Sequence, residues 1–78
     1  MSQQNAAVVL EEVLRRAMDE ALSLQAKDYL NDADSAALMA YFNILDWGKQ
    51  QADIMGVKFA DQELQGFDPY RLLLKKVA

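Results

Sequence analysis

Apolar residues recur at intervals of three and four along the first third of the chain, as on one face of an α-helix. They are Ala7, Leu10, Leu14, Ala17, Ala21 and Leu24, with Val13, Met18 and Leu22 widening the stripe. The pattern predicts a first helix from about Asn5 to about Leu30, capped by Ser2 or Asn5. Ala17 and Ala21 lie at the centre of the stripe, where small side chains would let another helix approach closely.

Charged residues occupy the other side of this predicted helix at i,i+4 spacing. The possible pairs are Glu11–Arg15, Glu12–Arg16, Arg15–Asp19 and Arg16–Glu20. Each such pair stabilises a helix by about 0.2–0.5 kcal/mol. The ladder therefore supports the helix without specifying a partner.

A cluster of turn-forming and cap-forming residues at 31–35 interrupts the helical pattern. Asp32 or Asp34 is expected to begin a second helix that runs to about Met55. Gly56 is expected to end it, because glycine readily adopts the left-handed conformation that closes many helices. Two helices joined by so short a turn should form an antiparallel hairpin.

At 100° per residue, the second helix has one polar arc, and apolar residues cover about half of its circumference or more. The polar arc holds Asn43, Asp46, Lys49, Gln50 and Asp53. One edge of the apolar region consists of Leu38, Leu45 and Ala52, and the other edge consists of Ala40, Trp47 and Ile54. Between the two edges lie Tyr41, Ile44, Gly48 and Met55. Outside the polar arc, Gln51 is the exception to the apolar character. Since the first helix cannot cover so wide a face, either the C-terminal segment or a second chain must cover the rest.

The C-terminal third predicts shorter elements. The segment 57–59 is expected to be extended, and 61–66 to form a single helical turn. Asp68 followed by Pro69 is a strong helix start. The resulting helix, 69–77, is expected to dock on the hairpin through one side and to carry cations at its C-terminal end, where the helix dipole favours them. The docking residues would be Tyr70, Leu73, Leu74 and Val77, and the cations Lys75 and Lys76.

The composition leaves few ways to stabilise so small a core. The chain has 78 residues, 53% of them apolar, and contains no Cys and no His. A domain of this size buries only about 60% of the surface that its unfolded chain exposes. Since disulfides and the usual zinc ligands are absent, we expect a single all-α domain, residues 1–78, that is completed by a second copy of itself or by a partner.

The net charge of −4 and the pI of about 4.5 disfavour binding of the monomer to DNA or to anionic membranes, which depends on basic patches. The charge is uneven: residues 28–68 have a balance of −6, whereas residues 69–78 have a balance of +3. These two parts could attract each other within one chain or between chains. No secretory signal and no apolar run long enough for a bilayer is visible, so the expected location is cytoplasmic.

Residues that could support catalysis are few. Nucleophilic catalysis requires a nucleophile and an activating base, and the chain has three serines but no histidine. Asp46 and Asp53 share a helix face, as do Glu12 and Asp19, but carboxylates on the polar face of a short helix are usually solvated. We therefore expect no enzymatic activity.

Two short motifs resemble ligand-binding loops but lack residues that such loops require. The acidic segment 32–34 resembles the start of a calcium loop, but the glycine and glutamate that such a loop requires at its sixth and twelfth positions are absent. Gly48 and Lys49 lack the upstream glycine and the hydroxyl residue of a phosphate loop. We therefore expect no metal and no cofactor. A glycine inside a helix costs about 1 kcal/mol relative to alanine, so Gly48 is expected to pack against another backbone or a large ring.

The remaining candidate site is an interaction surface on the second helix. If the first helix covers the Leu45 edge, Trp47 lies about 160–200° away and out of its reach. The site would centre on Trp47, with Ala40 and Ile54 beside it. Its further members would be Tyr41, Ile44, Asp46 and Asp53, the two aspartates forming a charged rim. In the alternative, Trp47 belongs to the core, covered by Phe59, by Phe67 or by the C-terminal helix.

In size, acidity and helical character the chain is similar to small phage or mobile-element accessory proteins, which often bind a host or virion protein. It is also similar to the short helical small subunits of phage DNA-packaging terminases, which assemble into rings. The first resemblance implies a non-enzymatic interaction module, an adaptor or an inhibitor, whose partner is another protein or a second copy. The second implies a ring- or dimer-forming subunit for DNA packaging or DNA regulation, which could present the basic tail collectively.

Overall fold

The computed structural model describes residues 3–74 and contains two long helices followed by two short ones. Helix α1 spans Gln3–Gln25, α2 spans Asp32–Met55, α3 spans Gln62–Gly66, and a 3-10 helix, η1, spans Pro69–Leu74. No strand occurs between residues 3 and 74. The predicted fold, a two-helix hairpin with a short C-terminal helix, is confirmed.

The connection between the long helices lies earlier in the chain than predicted. Helix α1 ends at Gln25 rather than near Leu30, because the Lys27 N–H donates to the Leu24 carbonyl in a tightened last turn. Asn31 is the N-cap of α2: its side chain accepts from the Asp34 N–H at 2.8 Å, and the Asp34 carboxylate accepts from the Asn31 N–H at 3.3 Å. Most of the predicted turn, 32–35, is therefore the first turn of α2.

The capping predictions for α1 and α2 have different outcomes. Asn5 lies inside α1 and does not cap it, while Ser2 lies outside the described residues. Gly56 closes α2 as predicted, with a φ of 71°. The Val57 N–H bonds to the Ala52 carbonyl at 2.8 Å, which satisfies a carbonyl in the last turn of the helix.

The core lies between the two long helices and beneath the C-terminal segment. Helix α1 buries Leu14, Ala17, Met18 and Ala21, and α2 buries Leu38, Phe42, Leu45 and Ala52. The Leu38, Leu45 and Ala52 edge is thus the intramolecular contact, as predicted. Val13, expected to widen the stripe, is instead exposed. Gly48 packs against the Leu14 side chain, so the expected backbone or ring contact was wrong.

The C-terminal segment, residues 57–74, packs on one side of the hairpin through a different set of residues from the set predicted. Its buried apolar side chains are Phe59, Leu64, Phe67, Pro69 and Leu72. Tyr70 and Leu73, expected to dock, are largely exposed, although the Tyr70 ring meets the Phe42 ring edge-on at 5.1 Å. The reason is the 3-10 period of three residues per turn, which puts Pro69 and Leu72 on one face. The side chain of Leu74 and all of residues 75–78 lie outside the described part.

Candidate functional site

The charged side of α1 holds the start of the C-terminal segment. The Glu11 carboxylate accepts from the backbone N–H of Ala60 at 2.8 Å and of Asp61 at 3.3 Å. These bonds satisfy donors just before α3, where Asp61 is the N-cap and accepts from the Leu64 N–H at 3.1 Å. Glu11 therefore has a tertiary role that its place in an i,i+4 ladder did not indicate.

Arg15 strengthens the same contact through three carboxylates. Its guanidinium lies 3.0 Å from Asp19, 2.9 Å from Asp61 and 2.7 Å from Glu63. Hydrogen bonds with Asp19 and Glu63 raise the pKa of Arg15 above its usual value. The pKa of Asp61 is lowered, first by the hydrogen bond from the Leu64 backbone and further by Arg15. The predicted Arg15–Asp19 pair is present, and Arg15 also joins α1 to α3.

Lys49 of α2 holds the other end of α3. Its ammonium donates to the backbone carbonyls of Leu64 and Gln65 at 2.5 and 3.0 Å. Both are carbonyls near the end of α3, where the helix dipole favours a cation. Burial lowers the pKa of Lys49, and the nearby charges of Asp53 and Asp68 oppose that shift. Helix α3 is thus held at its first residues by α1 and at its last residues by α2.

These contacts define the side of the hairpin that the C-terminal segment occupies. Two residues that are two positions apart on a helix point in directions that differ by about 160°. Trp47 therefore faces away from α3, because Lys49 faces toward it. The same spacing places Val9 and Val13 of α1 about 160° from Glu11 and Arg15, and both valines are exposed. On α2, the side opposite the C-terminal segment carries no charged residue and is not covered by any described residue. On α1, the same side also holds Arg16 and Glu20, which pair with each other at 3.0 Å.

Trp47 is the largest exposed apolar side chain on this side. Its exposed fraction is 65%, and that of Ile54, seven residues later, is 79%. Phe59 and Phe67 are buried where the C-terminal segment packs on α2, beside Asp46 and Lys49 rather than Trp47. The alternative in which these rings cover Trp47 and make it part of the core is therefore wrong.

An uncharged sector surrounds Trp47 along the whole length of α2. At 100° per residue, it spans an arc of about 100°. We call it the uncharged face of α2, and it consists of Ala33, Ala36, Ala37, Ala40, Ile44, Trp47, Gln51, Ile54 and Met55. Ala37 is half-buried and the others are exposed. All five charged residues of α2 lie outside this arc.

The structure divides the predicted interaction site between two surfaces. Ala40, Ile44, Trp47 and Ile54 lie on the uncharged face, whereas Tyr41 is half-buried at its boundary with α1. The two predicted rim residues, Asp46 and Asp53, line a separate open groove between α2 and the C-terminal segment. The groove has a volume of about 280 Å³, and its other lining residues include Lys49, Val57, Phe59, Phe67 and Pro69.

The groove offers little chemistry of its own. Its one ammonium group, that of Lys49, already donates to two carbonyls. Between residues 3 and 74, no cluster of three or more His, Cys, Asp or Glu side chains could hold a metal ion. In the same part of the chain, no helix combines the length and the apolar character needed to cross a bilayer.

Fold and surface together define a class: a helical hairpin whose C-terminal segment is fixed on one side and whose other side presents an uncharged helix face. Compared with family models, with curated proteins and with solved structures, the chain has no significant match. The functional argument therefore rests on the chain's own residues.

Proposed function

We propose that this protein is a non-enzymatic protein-interaction module, an adaptor or an inhibitor, that binds through the uncharged face of α2. The observation that carries the proposal is the exposure of Trp47 at the centre of that face. Tryptophan is enriched among the residues that contribute most to binding between proteins, where it fills a pocket from which water is excluded.

The composition of the face supports the same function. Burying one large apolar side chain contributes about 1.5–3 kcal/mol, and Ile44, Trp47, Ile54 and Met55 lie within reach of a single partner surface. All five charged residues of α2 lie outside the face, so a partner can cover it without burying a carboxylate. The rigid helix also presents these side chains in one arrangement before binding, which lowers the entropic cost of association.

Photo-crosslinking in cells that make the protein naturally tests this proposal. A photoreactive phenylalanine analogue would replace Trp47 in one variant and Met39 in a matched control. Met39 is exposed on the same helix, about 80° outside the Trp47 direction and beyond the uncharged face. We expect covalent adducts with protein from position 47 and few or none from position 39. Absence of any protein adduct from position 47 would contradict the proposal.

A further inference from the structure

We propose that the uncharged face of α2 pairs with the same face of a second copy, with the two α2 helices antiparallel. This inference rests on the proposed function and specifies the partner. Three features of the face support it: the spacing of its residues, the gradient of side-chain size along it, and its lack of charge.

The spacing is that of a helix–helix seam. Positions 33, 37, 40, 44, 47, 51 and 54 alternate in steps of four and three, which is the a/d spacing of a coiled coil. A seam of this period keeps facing a partner helix that has the same period. The Leu38, Leu45 and Ala52 edge, which α1 already covers, is a separate seam on the other side of α2.

Side-chain size changes from one end of the seam to the other. The first half carries alanine at positions 33, 37 and 40, and the second half carries Ile44, Trp47, Gln51 and Ile54. In a parallel pair each residue would meet its own copy, so Trp47 would meet Trp47 while alanine met alanine across a void. Voids in an interface forfeit contacts that a packed interface would make.

An antiparallel pair places large side chains on small ones. With the two-fold axis near position 42, Ile44 lies opposite the partner's Ala40, and Trp47 lies opposite the partner's Ala37. Gln51 then lies opposite the partner's Ala33. Every layer between 33 and 51 combines one alanine with one larger residue. This alternation is the packing that fills the space between two helices at close distance.

The charge distribution permits two copies to meet. The chain carries a net charge of −4, so two copies repel one another at a distance. The residues that flank the seam are mostly uncharged, with Asn43 and Gln50 on one side and Tyr41 and Gly48 on the other. Two aspartates also flank the seam: Asp34 is already paired with Lys27 at 2.8 Å, and Asp32 shares the direction of Gln50. In the antiparallel pair they lie opposite the partner's Gln50 and Ala52, which carry no charge. The contact therefore brings no two carboxylates together.

The size of the face sets the expected affinity. Helix α2 has 24 residues and is therefore about 36 Å long and about 10–12 Å wide. The flat contact is thus about 400 Å² per copy, and the accessible area buried is larger because the side chains interdigitate. Stable interfaces bury about 800 Å² per partner, which would be about one seventh of the 5434 Å² surface of this chain. The flat contact of the uncharged face is about half of that value. We therefore expect dissociation in the micromolar range rather than a permanent dimer.

Sedimentation of the full chain over about 1 μM to 1 mM measures the association. We expect the mass to rise from 8.8 kDa to twice that value, with a simultaneous shift of the emission of the single tryptophan to shorter wavelength. Ala40→Glu should abolish both changes, because it places a carboxylate on the seam. Met39→Glu, a neighbouring exposed position outside the uncharged face, adds the same charge and should leave both changes intact.

Disulfide cross-linking tests the direction of the helices, and the absence of native cysteine makes it unambiguous. In the antiparallel pair, two copies of Ala33→Cys lie about 27 Å apart, far beyond the roughly 7 Å limit between Cα atoms for a disulfide. We expect Ala33→Cys alone to remain reduced and a mixture of Ala33→Cys with Gln51→Cys to cross-link. Cross-linking of Ala33→Cys to itself would show a parallel pair and overturn the proposal.

Failure of this inference is distinguishable from failure of the proposed function. A mass of 8.8 kDa at every concentration, a species larger than a dimer, or equal effects of Ala40→Glu and Met39→Glu would each overturn self-pairing. If position 47 forms adducts with other proteins while the chain remains monomeric, the proposed interaction function is retained. Only the inference that the partner is a second copy is then rejected.

Discussion

Leu14 of α1 lies directly over Gly48 of α2, so closely that a Cβ atom at position 48 would come within 2.5 Å of Leu14 Cδ2 and 2.9 Å of Cδ1. Leu14 is fully buried and has little room to move. The missing side chain of Gly48 is therefore what allows the two helices to approach at this level. This contact offsets the conformational cost of a glycine inside a helix.

Gly48→Ala should therefore destabilise the protein, although alanine is the better helix former. Overpacking costs about 1–3 kcal/mol, and the gain in helix propensity is about 1 kcal/mol, so we expect a net loss of up to about 2 kcal/mol. Urea denaturation followed by circular dichroism measures it. Gly48→Ala should cost less in a Leu14→Ala background than in the parent, because the side chain that it meets is then absent. A Gly48→Ala variant more stable than the parent would contradict the contact.

Leu72 and Leu73 form a matched pair for testing how η1 docks. The exposed fraction is 1% for Leu72 and 44% for Leu73. Leu72→Ala should lower the free energy of unfolding by about 2–5 kcal/mol, as for other buried leucines, whereas Leu73→Ala should have a clearly smaller effect. Thermal and urea denaturation of the two variants measure these losses in the free energy of unfolding. Equal losses, or a larger loss for Leu73→Ala, would mean that the 3-10 register is not the one that docks.

Acid should weaken the attachment of α3 through Asp61. The pKa of this carboxyl is lowered below its ordinary value of 3.8 in the folded protein, so the unfolded chain takes up the proton first as the pH falls. The stabilisation is therefore present above about pH 4 and is lost below it. Asp61→Asn keeps an N-cap side chain for α3 but removes the charge.

The Asp61→Asn variant should have a lower melting temperature than the parent at pH 7, and the two melting temperatures should converge as the pH approaches 2. Melts recorded by circular dichroism at several pH values measure this convergence. Asp34, whose pKa is lowered mainly by Lys27, should keep some acid sensitivity in both proteins. A constant difference between the two melting curves at all pH values would argue against a role for the Asp61 charge.

Trp47 and Leu45 separate the exposed and buried sides of α2. Leu45 is completely buried, so Leu45→Ala should cost about 2–5 kcal/mol. Trp47→Ala, measured where the protein is monomeric, should change the free energy of unfolding by less than about 1 kcal/mol, because the ring makes few intramolecular contacts. At high protein concentration the same change should remove any concentration dependence of the melt. Large destabilisation of the dilute Trp47→Ala protein would place the ring in the core.

Much of the hairpin was predictable because the signals are local. Gly56 and Asp61 function as the helix-terminating and helix-capping residues that their types indicate. Helical periodicity correctly placed Leu45 at the intramolecular contact and Trp47 on the far side. The predictions that failed locally, the end of α1 and the docking residues of η1, failed where a short 3-10 turn replaced the α-helical period.

The sequence by itself thus determined the existence of the two long helices, the start of α2 near Asn31 and its end at Gly56. It also determined that Leu45 and Trp47 point in nearly opposite directions. Only the tertiary structure decided which side of the hairpin the C-terminal segment covers. That choice depends on Glu11, Arg15 and Lys49 meeting backbone and carboxylate groups 15 to 50 residues away. Periodicity reports how a residue points from its own helix, whereas the identity of its neighbour depends on how distant segments pack.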